Sequence, residues 1–171
     1  MAFSYFARLS PRLKKIYVQS DRVVELKLPR PELLEPLVAG LRMALEAEDR
    51  RATELAAGFL VRGITEMLRV PPVHVAVLAA RPRSSGGELH GLYTHGQGPA
   101  RIQVWMRTAA HERVVAFRTF LRTLVHEVGH HLDLAYLKLG DSLHTEGFFR
   151  RESSLVRQLL GEASPKSAAP V

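Results

Sequence analysis

A proline pair, Pro71-Pro72, constrains this chain more than any other feature. No helix runs through such a pair, because the second ring removes an amide donor and the first residue is pushed out of the helical region. On its N-terminal side the apolar residues recur every three or four positions. On its C-terminal side they first alternate. The 171-residue chain is therefore read as two unlike stretches of one α+β domain.

From about Leu34 to Leu68, Leu37, Leu41, Leu45, Leu55, Phe59, Ile64 and Met67 keep helical spacing. Pro36 suits a first helical turn, and the charged stretch Glu46–Arg51 is the easiest place for a break. Before this, Arg22–Leu28 alternates and reads as one short strand closed by Pro29 and Pro31. After the proline pair, 73–80, Glu88–Thr94 and Arg101–Met106 read as strands of a small mixed sheet, with a loop at Arg81–Gly87. Thr108 is the expected cap of a long helix over about Glu112–Leu139, stopped by Gly140-Asp141. A last helix is expected over about Thr145–Leu160. The expected organisation is one domain over 1–162, with an N-terminal strand and helices in 1–70 and a core in 73–160. The small polar tail 163–171 reads as disordered.

There is no cysteine, which excludes disulfides, Cys-ligated metals and thiol catalysis. The net charge of +7 comes with 19 arginines and 5 lysines scattered along the chain, so nucleic acid is only weakly suggested as a partner. No apolar run approaches the ~18 residues a membrane helix needs. The start, MAFSYFARLSPRLKK, lacks the pattern of a signal peptide, and the expected location is the cytoplasm.

Residues 126–130 read His-Glu-Val-Gly-His, an H-E-x-x-H motif inside the long helix. Positions i and i+4 lie one turn apart on one face, so His126 and His130 can present two imidazoles to one Zn²⁺. Glu127 is rotated by about 100° and can serve a water rather than the ion. Gly129 implies that another element packs closely between the two imidazoles. A hydrolytic zinc site needs a third protein ligand. His144, Glu146 and Glu152 lie downstream as candidates, and Asp133 shares the face of His130 as a partner able to orient an imidazole. His131 is expected to be packed. Tyr136, His95, Arg150 and Arg151 are candidate donors for an oxyanion. Trp105 is expected to pack on a sheet face.

The segment His126–Leu155 resembles the SprT-like group of zincin metallopeptidases, in which H-E-x-x-H is followed, after a dozen or so residues, by a His opening a helix as H-x-x-x-F. Here that piece is His144-Thr145-Glu146-Gly147-Phe148, separated from His130 by a spacer of 13 residues. The resemblance implies a zincin-like fold, with an active-site helix and a C-terminal helix beside a small sheet. It implies a metal-dependent hydrolase of peptide bonds, with His126, His130 and His144 as zinc ligands and Glu127 as catalytic carboxylate. It also implies a peptide or protein substrate held by strand addition to an edge strand, for which Arg101–Met106 is the expected edge. A gluzincin-like arrangement, with Glu146 or Glu152 as third ligand, stays open, since Glu152 follows His130 by 22 residues. Two other readings also stand: a zinc-binding recognition module without proteolysis, and a basic protein associated with nucleic acid.

Overall fold

The computed structural model describes residues 3–84 and 87–163. The expected tail beyond Ala163 lies outside the described residues. The architecture is α+β. Helices α1 (Pro11–Arg22), α2 (Glu35–Glu46) and α3 (Arg50–Met67) precede strands β1 (His74–Ala80), β2 (Arg83–Ser84), β3 (Gly87–Glu88), β4 (Gly91–Gly96) and β5 (Gly98–Arg107). Helices α4 (Phe117–Ala135) and α5 (Glu146–Leu159) follow. No described helix is long and apolar enough to cross a membrane.

Helix α1 was not foreseen. Ser10 caps it by accepting from the Leu13 N–H at 3.3 Å, and Pro11 opens its first turn. The Arg22–Leu28 strand does not form. The alternation holds over 25–28, because Leu26 and Leu28 are buried while Glu25 and Lys27 are exposed, and it fails at Val24, which is exposed on the face of the two leucines. Among the described residues no strand pairs with it, however. The Gln158 side chain from α5 takes a strand's place, accepting from the Leu28 N–H at 2.8 Å and donating to the Leu26 carbonyl at 2.8 Å.

The break between α2 and α3 falls in the charged stretch, where Asp49 caps α3 by accepting from the Ala52 N–H at 2.9 Å. Strands β1 and β5 run parallel, and β4 pairs antiparallel with β5, in the order β1-β5-β4. This corrects the expected edge: Arg101–Met106 is the centre of the sheet. Ile102, Val104 and Met106 point into the core and are essentially inaccessible, and a strand that buries so much belongs inside. Trp105 is buried on the sheet, as expected. One edge, β1, is blunted by side chains. Glu54 accepts from the Val77 N–H at 2.8 Å and Arg50 donates to the Val77 carbonyl at 3.0 Å. The other edge is β4, which packs on α4.

Helix α4 starts at Phe117 without a side-chain cap, so neither Thr108 nor Glu112 begins it. The intervening residues extend the sheet instead. Arg107 and Val114 form an antiparallel bridge, and the Val115 N–H donates to the Met106 carbonyl at 2.9 Å. The helix also ends early, at Ala135, with Lys138 in the left-handed region at φ 56°. Helix α5 begins where expected, because Thr145 accepts from the Phe148 N–H at 3.0 Å. The core joins α2, α3, the sheet, α4 and α5 around Leu41, Leu60, Val77, Ile102, Leu124 and Leu155.

Candidate metal centre

Helix α4 carries His126 and His130 one turn apart, and the loop between α4 and α5 returns His144 to the same place. One ring nitrogen from each of the three lies within 4.8 Å of the other two. His144 Nε2 is 3.0 Å from His126 Nε2 and 3.2 Å from His130 Nε2.

The outward nitrogens decide what the inward ones can do. His126 Nδ1 lies 2.8 Å from Glu152 Oε2, and Arg122 stands 3.3 Å from the other oxygen of that carboxylate. A carboxylate only accepts, so the His126 proton sits on Nδ1 and its Nε2 presents a lone pair. His130 Nδ1 lies 2.7 Å from Ser142 Oγ, and that hydroxyl donates to Asp133 Oδ2 at 2.9 Å. Ser142 therefore accepts from His130, whose Nε2 also presents a lone pair. His144 Nε2 could donate to one of these nitrogens but not to both. One pair of imidazoles would then face lone pair to lone pair at about hydrogen-bond distance. A cation among the three nitrogens resolves this. Tetrahedral zinc, with Zn–N of about 2.0–2.1 Å, would place its nitrogens about 3.3 Å apart, close to what is found. The residues present fit zinc.

Asp133 reaches His130 through Ser142. Its other oxygen accepts from Arg151 Nη2 at 2.8 Å, and both side chains are almost fully buried. Arg151 also donates to the Ser20 carbonyl at 2.6 Å, to Ser20 Oγ at 2.9 Å and to the Val23 carbonyl. This chain of contacts ties α1 to helix α4.

Glu127 is 5% exposed and lies against Gly91 of β4. A Cβ at Gly91 would come within 2.4 Å of Glu127 Oε1. Only glycine lets the strand approach the carboxylate so closely. Burial pushes the Glu127 carboxyl up to about 7, against the pull of His126 and of the Tyr93 backbone N–H. Burial, followed by the His126 and His144 charges, holds His130 down to about 3, and burial also lowers His144. Protons therefore compete poorly for the inward nitrogens of His130 and His144.

Phe148 forms the floor, its ring centroid 4.8 Å from that of His130 and 5.0 Å from that of His126. It is also the element that Gly129 admits, since a Cβ there would come 3.1 Å from Phe148 Cζ. His131 is packed, as expected. Its Nε2 donates to the Pro71 carbonyl at 2.8 Å and its Nδ1 accepts from the Tyr93 hydroxyl at 3.1 Å.

Of the other candidate ligands, Glu152 stands behind His126 rather than beside His144. Glu146 is exposed and lines a different cleft, with Phe3, Val24 and Glu25. Among the oxyanion candidates, Arg151 is consumed by Asp133 and the α1 carbonyls. Arg150 lines the same cleft as Glu146, and Tyr136 lies at the end of α4, outside the clefts that flank the imidazoles. His95 does line the cleft beside the three imidazoles, stacked on Tyr93 at 5.6 Å.

Two clefts flank the centre. One, of about 360 Å³, contains Tyr93, His95, Asp141 and all three imidazoles. The other, of about 510 Å³, is lined by Leu89, Thr119, Thr123 and Phe149. They share Gly91, His126 and Glu127, so a groove passes the site along β4.

Ser142 and Gly91 were missed in the sequence. A lone glycine inside a strand pattern is a recognised sign of close backbone approach. Ser142 carries no such signal. Comparison of the chain with protein-family models, with curated proteins and with solved structures returns no match.

Proposed function

We propose that the protein is a zinc-dependent peptidase of zincin type, with His126, His130 and His144 as zinc ligands and Glu127 as general base. The observation that carries this reading is the hydrogen-bond pattern around the imidazoles. Glu152 and Ser142 bond the outer nitrogens of two imidazoles, which turns the inner nitrogens toward the third, with a buried carboxylate alongside.

Zinc bound there would acidify a water and polarise the scissile carbonyl. The residues of the chain do the rest. Glu127, with a carboxyl that titrates near neutrality, takes a proton from the water and returns it to the leaving amine. The β4 edge aligns an extended peptide along the groove by main-chain hydrogen bonds. It replaces Arg101–Met106 in that part. The resemblance to the SprT-like group, carried by H-E-x-x-H, the spacer and the H-x-x-x-F piece, supports the same assignment.

Elemental analysis with a peptide-library digest tests the proposal. Wild type is expected to hold stoichiometric zinc and to cleave. His144→Ala loses the metal, while Glu127→Gln keeps it and loses at least ~10²-fold in rate. Zinc with no cleavage of any peptide would favour a recognition module instead. No metal after zinc is added back overturns both readings.

A further inference from the structure

His144 differs from the other two imidazoles. Among the described residues its Nδ1 has no hydrogen-bond partner, and it sits on a loop rather than a helix. Something else must hold it, and contacts from the opposite end of the chain meet at this residue. The Tyr5 hydroxyl donates to the His144 carbonyl at 2.5 Å, across 139 residues of sequence. The His144 ring stacks on Phe149 at 5.7 Å and 20°, and Phe149 meets the edge of Phe3 at 6.0 Å.

The arm that brings Phe3 and Tyr5 here is itself anchored. Residues Ser4–Arg8 form a 3-10 turn, and Phe3 stacks on Tyr5 at 6.2 Å with only 7° between the rings. The Phe3 N–H donates to the hydroxyl of Tyr17, a buried residue of α1, at 3.0 Å. The Tyr17 ring packs edge-on against Tyr5 at 5.9 Å. The arm is thus seated on the body of the protein independently of the bond it makes to His144.

We infer that Tyr5 is a positioning residue for the third imidazole, through which the N-terminal arm sets the affinity and geometry of the metal site. This rests on the zinc-site reading above. Outer contacts of this kind fix ligand orientation, and their loss commonly weakens metal binding by ten- to a hundredfold. A single hydrogen bond to the backbone of a ligand belongs at or below the lower end of that range.

The test is Tyr5→Phe, which removes the hydroxyl and keeps the ring packed. Zinc affinity is read by chelator competition, the visible spectrum is taken on cobalt-substituted protein, and the melting temperature is measured on the metal-free form. The expected result is zinc binding weakened about 3- to 10-fold, an altered cobalt spectrum and an unchanged metal-free melt. Phe149→Leu, which removes the stacking partner, is expected to shift the same two metal readouts. Equal affinity with superimposable spectra overturns the inference, as does a lower metal-free melt with unchanged affinity, which would mark Tyr5 as merely structural. A wild type that binds neither metal overturns the zinc-site reading itself, and that failure is visible before any variant is made.

Discussion

The buried pair Asp133–Arg151 offers the sharpest energetic test of how this site is supported. Arg151 is 2% exposed and Asp133 0%, with 2.8 Å between them. Asp133→Ala would leave a guanidinium buried among the Ser20 and Val23 carbonyls with no counter-charge. Breaking a buried pair from one side costs roughly 3–5 kcal/mol. That is a large share of the roughly 5–15 kcal/mol that holds a domain folded. The converse variant, Arg151→Met, leaves a carboxylate still bonded to Ser142, and the Ser20 carbonyl keeps the Val23 N–H at 3.2 Å. Asp133→Ala with Arg151→Met removes both charges, leaving the Val23 carbonyl without its guanidinium donor at a cost of about 1–3 kcal/mol. The double variant should therefore be more stable than the sum of the single losses by about 2 kcal/mol or more. Urea unfolding of the four proteins, with constant m-values, measures this. A loss below about 1 kcal/mol in Asp133→Ala, or strict additivity in the cycle, would refute the claim that this pair pins α1, α4 and α5 together.

Two further predictions concern Glu127. Gly91→Ala should displace the carboxylate, since the new Cβ would stand 2.4 Å from Oε1 and 2.8 Å from Cγ. A shift near 1 Å costs on the order of 10² in rate. Zinc content should be unchanged, and Gly40→Ala, where nothing lies within 4 Å, should leave the rate alone. Equal rates in the two variants would remove the strand from the argument. The second concerns acid stability of the metal-free protein. Burial lowers His130 and His131, so the unfolded chain takes up their protons first. Their stabilisation is complete above about pH 6.5 and is lost as pH falls through the folded values, about 3 for His130. Glu127 acts the other way: raised to about 7 from 4.5, it adds stability as pH falls between those values. Glu127→Gln should therefore lose stability more steeply than wild type between pH 7 and 5, by up to about 1.4 kcal/mol per pH unit. Parallel profiles in urea unfolding would show that the carboxyl is not raised.

The sequence by itself determined the parts that are local. The 3.6-residue period of α4 placed His126 and His130 on one face, and it made Gly129 a point of close packing before Phe148 was seen there. The start of α5 near Thr145 is local as well, because its cap needs only a side-chain oxygen and an amide three residues on. The charged stretch after Glu46 located the break between α2 and α3. The tertiary structure decided what distant partners determine. Arg22–Leu28 has the alternation of a strand, but whether it joins a ladder depends on its neighbour, and that neighbour is the Gln158 side chain. Arg101–Met106 reads as a strand at any position in a sheet, and only the burial of Ile102, Val104 and Met106 against the helices makes it the centre. The choice among His144, Glu146 and Glu152 was equally out of local reach. Spacing allows all three, and the early end of α4 at Ala135, with the turn through Lys138, brings His144 to the other imidazoles while leaving Glu152 behind His126. Ser142, Arg151 and Tyr5 serve the site through contacts across 9 to 139 residues. Periodicity records which face a residue takes, and it carries no information about which distant group that face will meet.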